Sequence, residues 1–183
     1  MNRRVRQQRI AVSILLTSGL CIGTLASVLS LGGYRINTTP SFPLGLWQIA
    51  PLDRQVETGD TVFICLSDHA DRFVEALQRG YLPSGLCPSG LAPLIKTIVA
   101  MPGQSITVHE AEVLVDGVPL AHSTILARDG DNRTMRAYTG GIVPPDHVFL
   151  HSDFVASYDS RYFGPVAAKG ILGLAKPVFT FAL

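Results

Sequence analysis

The sequence has almost no net charge, because its 15 lysines and arginines nearly balance its 14 aspartates and glutamates. A chain this close to neutrality lacks the broad basic surface that binds nucleic acids, so we expect no nucleic-acid partner. Internal repeats and low-complexity tracts are also missing, which excludes repeat architectures. At 183 residues the chain is long enough for one globular domain and a short appendage.

Charged residues are absent from residues 10–33, which are predominantly apolar. A helix of this length spans about 36 Å, enough to cross a hydrocarbon core of about 30 Å. Arginines are more numerous before this run than after it: Arg3, Arg4, Arg6 and Arg9 against Arg35. This asymmetry predicts a cytoplasmic segment at 1–9, a single transmembrane helix at 10–33 and an exported domain at 34–183, with the lipid bilayer as a partner. A cleavable signal peptide is the alternative, because it also begins basic and turns apolar.

Cysteine is scarce: Cys21 lies in the apolar run, and Cys65 and Cys87 lie in the exported part. In an oxidising compartment Cys65 and Cys87 can pair, which would close a loop of about twenty residues and stabilise it by roughly 3 kcal/mol. Two free thiols are the alternative. Cys65 and His69 are four residues apart, but no second pair of ligands follows at metal-binding spacing. We therefore expect neither a metal nor another cofactor.

Short strand-like segments separated by turn residues dominate the exported part. The predicted strands are residues 61–66, 94–100, 105–109, 112–115 and 147–151, and the Pro-, Thr- and Gly-rich segment 34–60 receives none. Residues 67–80 differ, because behind a cap at Ser67 and Asp68 apolar residues recur at helical spacing: Ala70, Phe73, Val74 and Leu77. The sequence thus predicts a mainly β domain with a short helical insertion at about 67–90.

A Gly-x-Ser-x-Gly motif for a histidine-based triad is missing. Ser41 instead lies between Pro40 and Pro43 in the run Asn-Thr-Thr-Pro-Ser-Phe-Pro-Leu-Gly at 37–45. The prolines exclude a helix and hold the Ser41 hydroxyl on a stiff, extended strip. Serines in such surroundings more often belong to inert surface loops, so this segment alone does not identify a nucleophile.

Lysine is rare in this chain, and Lys96 interrupts the otherwise nearly apolar run 94–100. A lysine on a half-buried strand normally points to water. If the side chain points inward, burial disfavours the ammonium form, and the neutral amine can accept a proton from a serine. Ser41 and Lys96 therefore predict a serine nucleophile with a lysine general base.

Four segments in matching order resemble the type I signal peptidases, and more closely the conjugal-transfer peptidases that process pilin precursors. They are residues 37–45, residues 96–108 with the turn Pro102-Gly103, the hairpin turn Asp116-Gly117, and residues 159–164. The resemblance implies a signal-peptidase-like antiparallel β domain in the periplasm. It also implies a serine endopeptidase that uses a Ser/Lys dyad.

The resemblance implies a role for each matching position. Ser41 would attack the scissile carbonyl, and Lys96 would act first as base and then as acid to the leaving amine. The backbone N–H of Ser41 and the hydroxyl of Thr39 would donate to the oxyanion. Asp159 corresponds to the carboxylate near the lysine, and Ser157 to a hydroxyl that orients the amine.

Two departures from the family pattern accompany the resemblance. The usual Gly-Asp-Asn reads His151-Ser152-Asp153, which leaves Asp153 open to a structural or a site role, and the methionine often found after the nucleophile is Phe42. We expect Arg161 to pair with an acid beneath the site.

The separation of Ser41 from the apolar run limits where substrates are cut. Eight residues from Gly33 reach at most about 28 Å, so the nucleophile must work close to the bilayer. We therefore expect an inner-membrane enzyme that processes a membrane-anchored precursor, such as a conjugative pilin. Because an amine or water can resolve the acyl-enzyme, cleavage and cyclisation are both open. The resemblance implies small residues at the first and third positions before the cut.

Three other functions share some of these features. A general type I signal peptidase would have the same dyad and anchor. A non-catalytic assembly factor of an export or conjugation apparatus could keep the fold with a dead site, which the presence of both Ser41 and Lys96 disfavours. A self-cleaving cytosolic regulator would share the dyad but carry a DNA-binding domain in place of the apolar helix.

Overall fold

The computed structural model describes residues 3–66 and 70–181, which divide into two compact units that meet at Arg35 and Ile36. The first unit contains helix α1 (Arg3–Leu31). Its segment Arg6–Leu31 is long and apolar enough to cross a membrane. The helix begins before the predicted residue 10 because arginine and glutamine are good helix formers.

In the part of the second unit that the structure describes, strands dominate, and they are joined by the α-helices α2 (Ala70–Gln78) and α3 (Ser160–Phe163). In the described residues the strands are β1 (Tyr34–Asn37), β2 (Leu44–Ala50), β3 (Thr61–Ile64), β4 (Leu94–Ala100), β5 (Ser105–His109), β6 (Glu112–Val115), β7 (Val118–Pro119), β8 (Gly141–Ile142), β9 (His147–His151), β10 (Val166–Ala167) and β11 (Ile171–Phe181). The mainly β architecture expected from the sequence is confirmed.

The strands form two sheets. One has seven strands in the order β1-β2-β11-β3-β4-β9-β10, and the other has four in the order β7-β6-β5-β8. From β2 to β10 the neighbouring strands of the larger sheet pair antiparallel. Strand β4 lies between β3 and β9, so its residues are held from both sides in the interior of the sheet.

Several strands differ from the prediction. Strands β1 and β2 fall in the segment 34–60, and β11 was not predicted because Pro177 interrupts it. The pairing of β11 with β2 shifts register between Pro177 and Phe179, which accommodates a residue without an N–H. Strand β3 ends at Ile64 rather than at residue 66.

The inserted helix packs one face on the main core. Phe73 and Ala76 of α2 are buried, whereas Val74 and Leu77, expected on the same face, are 41 % and 40 % exposed. The predicted cap at Ser67 and Asp68, and also His69, lie outside the described residues. The core beneath α2 is formed by buried side chains of β3, β4 and β9 and of the segment around α3: Val62, Ile64, Ile98, Leu150 and Phe163.

A disulfide joins Cys65 to Cys87, with 5.6 Å between their Cα atoms. It fixes the chain just after β3 to the chain shortly before β4, so the insertion that carries α2 is closed at its base. Cys65 is therefore not available as a metal ligand. No group of three or more metal-binding side chains occurs among the residues that the structure describes.

Candidate active site

Lys96 points into the protein from the middle of the larger sheet. It pairs with Val62 of β3, and its side chain is 3 % exposed. The Nζ atom donates a hydrogen bond of 2.8 Å to the Oγ atom of Ser157. Burial lowers the pKa of Lys96 from 10.5 to about 8, although the negative charge of Asp159 raises it in part. A substantial fraction of the amine is therefore neutral at mildly alkaline pH.

Ser157 is held in position by its own backbone. Its N–H donates to the carbonyl oxygen of Phe154 at 2.9 Å, and its carbonyl oxygen accepts from Arg161 Nη2 at 3.1 Å. The side chain is 2 % exposed, so the hydroxyl has little water to compete with the lysine. Ser157 thus fixes the direction of the Lys96 amine.

The turn that carries Ser41 is organised by the side chain of Asn37. The carbonyl oxygens of Thr39, Phe42 and Pro43 lie 2.9, 2.9 and 3.1 Å from its Nδ2 atom and share its two N–H donors. Its Oδ1 atom accepts from the N–H of Thr39 at 3.2 Å and from the Thr39 hydroxyl at 2.9 Å. One amide group therefore satisfies polar groups on both sides of Ser41, in a segment where the prolines prevent regular structure.

Two further contacts fix this turn. Ser152 Oγ donates to the carbonyl oxygen of Ser41 at 2.5 Å, although 111 residues separate the two in sequence. Gly45 has φ of 128°, and a Cβ atom there would collide with the carbonyl oxygen of Phe179 on β11. The glycine that ends the Ser41 segment is thus required by the close approach of β11.

Ser41 and Lys96 line the same cavity, which has a volume of about 130 Å³. Within the described residues, the amine donates to Ser157 rather than to the Ser41 hydroxyl. Hydrogen bonds between catalytic groups are often long or absent without substrate and form when substrate binds. The Ser41 hydroxyl and the Lys96 amine therefore line one space, and Ser157 already orients the amine.

The Ser41 N–H and the Thr39 hydroxyl, the two donors expected at the oxyanion, differ in whether they already donate to another group. Among the described residues, none accepts a hydrogen bond from the Ser41 amide, so this N–H is available to a ligand. The Thr39 hydroxyl instead donates to Asn37 Oδ1. It must rotate away from Asn37 before it can donate to an oxyanion.

Asp159 and Arg161 form a fully buried ion pair beneath the site. Asp159 Oδ1 accepts from Arg161 Nε at 2.8 Å, and Oδ2 accepts from Arg161 Nη2 at 2.9 Å and from the Ser152 N–H at 3.2 Å. Asp159 has no ion pair with Lys96 within 4 Å in the part of the chain that the structure describes. Its charge acts on the lysine through space, while its oxygens are bonded to the arginine.

Asp153 and His151 lie at the edge of this region. The Asp153 side chain is 82 % exposed and stands 3.6 Å from the buried His151 ring. Burial lowers the pKa of His151 from its ordinary value of 6.5, so the ring is neutral at pH 7. Neither residue lines the cavity shared by Ser41 and Lys96.

Sequence reasoning missed three residues that shape the site. Asn37 belongs to the Ser41 segment, and its position before a turn was a usable signal for a side chain bonded to the backbone. Ser152 was visible only as a departure from the family pattern. Tyr81 and its neighbours reach the cavity from the disulfide-closed insertion, where no motif marks them.

Comparison with known proteins identifies the family of this chain. The family model for signal peptidase, peptidase S26, matches residues 7–180. The chain is 48 % identical to the conjugal transfer protein TraF of Agrobacterium fabrum over 95 % of its length and 98 % of that protein's. It is 50 % identical to a probable conjugal transfer protein TraF of Sinorhizobium fredii, over 99 % and 95 % of the two chains.

A plasmid transfer protein TraF of Escherichia coli is 32 % identical over 96 % of this chain and 99 % of that protein. A crystal structure of a signal peptidase I from Enterococcus faecalis aligns at 17 % identity with a TM-score of 0.41, covering 66 % of this chain and 97 % of that one. The chain belongs to the signal peptidase family, peptidase S26. Membership of this family supports a peptidase role.

Proposed function

We propose that this protein is a membrane-anchored serine endopeptidase in which Ser41 is the nucleophile and Lys96 the general base. The observation that carries the proposal is the state of Lys96. It is buried in a cavity that it shares with Ser41, its pKa is lowered to about 8, and Ser157 orients its amine. An exposed lysine would remain protonated at neutral pH and could not accept a proton from serine.

In the proposed reaction, neutral Lys96 takes the proton of the Ser41 hydroxyl while Oγ forms a bond to the scissile carbonyl carbon. The Ser41 N–H donates to the oxyanion, joined by the Thr39 hydroxyl once it has left Asn37. The Lys96 ammonium then protonates the leaving amine as the C–N bond breaks. Water or an amine attacks the carbonyl carbon of the resulting Ser41 ester, and Lys96 accepts the proton of that second nucleophile. The bond between the carbonyl carbon and Ser41 Oγ then breaks, and Lys96 returns the proton to Oγ, which restores both residues.

The surroundings of Lys96 support both directions of this proton transfer. Burial favours the neutral amine that starts the reaction, and the through-space charge of Asp159 stabilises the ammonium that forms next. The hydroxyl of Ser157 stays hydrogen-bonded to Nζ and keeps it directed at the cavity. These opposing influences leave the pKa near the working pH, where a general base is most effective.

We propose that the substrate is a membrane-anchored precursor, and specifically a conjugative pilin precursor. The names of the relatives at 48 % and 50 % identity refer to conjugal transfer, which favours this substrate over the signal peptides of general export. The cavity beside Lys96, lined in part by Leu82, Ala92 and Ile95, is small enough to favour small side chains before the cut. In this proposal the N-terminus is cytoplasmic, α1 crosses the inner membrane once and the peptidase domain is periplasmic.

A non-catalytic assembly factor is the competing function. Among the described residues, buried Lys96 has no ion-pair partner within 4 Å. Burying a charge in this way is costly, and a scaffold protein would gain nothing from it. A general signal peptidase remains a second competitor, and substrate choice separates it from a pilin peptidase.

Co-expression of the pilin precursor with the full chain in a conjugation-competent host tests the proposal. Wild-type chain should mature the precursor, and Ser41→Ala should leave it uncut. The surface variants Ser84→Ala and Lys169→Ala serve as matched controls and should act as wild type. The mass of the mature product distinguishes hydrolysis from cyclisation, because the cyclic product has one water less. Normal maturation by Ser41→Ala would contradict the proposal.

The pH dependence of cleavage should report the lowered pKa of Lys96. Because the neutral amine is the active form, we expect kcat/KM for a synthetic peptide to rise with pH, with a midpoint at about 8, and to level off above it. Initial rates of the full chain in detergent micelles between pH 6 and 10 would measure the profile. A rate that still rises steeply at pH 10, towards the ordinary lysine pKa of 10.5, would contradict the lowered pKa of Lys96 on which the proposal rests.

A further inference from the structure

A second cavity adjoins the first at Ser41. It has a volume of about 290 Å³, compared with about 130 Å³ for the cavity that contains Lys96. The two share Thr39, Ser41, Tyr81 and Tyr158, so they meet at the nucleophile. The larger cavity does not include Lys96.

The lining of the larger cavity is rich in aromatic and other apolar side chains. It includes Leu126, Met135, Phe154, Ala156 and Tyr162 in addition to the shared residues. Apolar walls gain free energy by removing apolar side chains of a ligand from water, at about 25 cal/mol per Å². This cavity is thus suited to a bulky apolar group.

Three packed tyrosines form a wall where the cavities meet, and two of them, Tyr81 and Tyr158, line both cavities. The rings of Tyr81 and Tyr158 have centroids 5.0 Å apart, and those of Tyr158 and Tyr162 are stacked at 5.4 Å. The Tyr162 hydroxyl accepts from the N–H of Leu126 at 3.0 Å. The wall is therefore held by packing and hydrogen bonding before any ligand binds.

Asp129, the charged residue in this lining, is already paired with other side chains. Asp129 accepts a short hydrogen bond from the Tyr81 hydroxyl and pairs with Arg133 Nε at 2.6 Å. Its backbone partners include the N–H groups of Asp131 and Arg133, at 3.0 and 2.8 Å. With these partners the carboxylate fixes Tyr81 and does not require a cation from the ligand.

We infer that the larger cavity is a second substrate subsite, which takes a bulky apolar side chain from the opposite side of the scissile bond to the side chain in the Lys96 cavity. This inference rests on the proposed peptidase function. A peptide that passes over Ser41 in an extended conformation presents side chains to both cavities, and the tyrosine wall keeps them apart. The enzyme therefore selects a small residue on one side of the cut and a large apolar residue on the other.

Filling the cavity should abolish this second preference. Ala156 is exposed at its rim, and Ala156→Phe adds a ring to the space without removing a hydrogen bond. Val155→Phe, one residue earlier on the same loop and outside the lining, adds comparable bulk and is the matched control. Gly130→Leu fills the cavity from a different loop, where a Cβ atom meets nothing within 4 Å.

The experiment uses full chain in detergent micelles and a mixture of synthetic peptides randomised on both sides of a candidate small residue, with products identified by mass spectrometry. Wild type and Val155→Phe should favour Leu, Met or Phe over Ala at one position beyond the cut by at least about tenfold. Ala156→Phe and Gly130→Leu should lose that preference, while they retain cleavage of peptides with Ala there and the small-residue preference on the other side.

The outcomes separate this inference from the function on which it rests. Cleavage by wild type with no side-chain preference across the cut would overturn the inference alone, as would filled variants that keep the wild-type preference. If wild type cleaved none of the peptides, or if Ser41→Ala cleaved them as well as wild type does, the peptidase function would be overturned and the inference with it.

Discussion

Replacing Ser41 by alanine should lower kcat/KM for peptide cleavage by at least about ten-thousandfold, and replacing Lys96 by alanine should lower it by about a thousandfold or more. In the proposed mechanism, the first change removes the atom that attacks the carbonyl, and the second removes the group that takes its proton. Because the two residues act as a unit, the double variant should be little slower than Ser41→Ala alone.

Lys96→Arg provides a sharper test of the base than alanine does. A guanidinium fills similar space but is not deprotonated in proteins, so it cannot accept the serine proton. We expect Lys96→Arg to be as inactive as Lys96→Ala. Lys169→Arg, on the surface, is the matched control and should keep the wild-type rate. Activity in Lys96→Arg above a tenth of wild type would contradict a lysine base.

Replacing Arg161 by methionine should lower the free energy of unfolding by about 3–5 kcal/mol, because it leaves the Asp159 carboxylate buried without its cation. Both side chains are fully buried, and Arg161 also donates to the carbonyl oxygens of Thr124 and Ser157 at 2.9 and 3.1 Å. Urea unfolding of the full chain in detergent, followed through the fluorescence of the buried Trp47, would measure the change.

Two further variants give this measurement its controls. Arg54→Met removes the partner of Asp60 at the surface, where the arginine side chain is 43 % exposed and solvent screens the pair, so it should destabilise the protein far less than Arg161→Met. The double variant Asp159→Asn with Arg161→Met should be less destabilised than the sum of the single changes, because no unpaired charge remains. Equal costs for Arg54→Met and Arg161→Met would show that the buried pair does not stabilise the fold.

The strands of the interior were predictable because their sequences are nearly continuously apolar. Strand β4 coincides with the predicted residues 94–100. Strand β11 was missed because Pro177 is normally excluded from strands, and only its register shift beside β2 shows how the proline is tolerated. A local sequence pattern does not reveal a register shift that depends on the partner strand.

In the candidate site, too, the residues marked by a local pattern were predictable, whereas contacts between distant parts of the sequence were not. Lys96 was recognisable from the local sequence, because a lysine in an apolar strand either points to water or is buried, and a buried lysine indicates a functional role. The contact of Ser152 with the Ser41 carbonyl joins residues 111 apart and has no signature in either segment. Tyr81 likewise reaches the site only because the disulfide-closed insertion folds back towards it.

A carboxylate at Asp159 near Lys96 was predictable, and so was an acid partner for Arg161, but the sequence did not show that one carboxylate is both. The resemblance placed a carboxylate near the lysine, whereas both of its oxygens are bonded by Arg161, and its effect on Lys96 is electrostatic. A motif that contains one acid and one arginine two residues apart does not say which cation the acid will bond. Three-dimensional packing decides this, because the planar guanidinium can reach both oxygens at once.

Acyl transfer to Ser41 is the central claim, and mass spectrometry of the acid-quenched enzyme tests it most directly. Full chain would be quenched during turnover of a synthetic peptide ester and then digested. We predict the acyl group of the substrate on the peptide that contains Ser41 in wild type, and no such adduct in Ser41→Ala. Product formation without an adduct on Ser41, or with an adduct on another residue, would contradict the account.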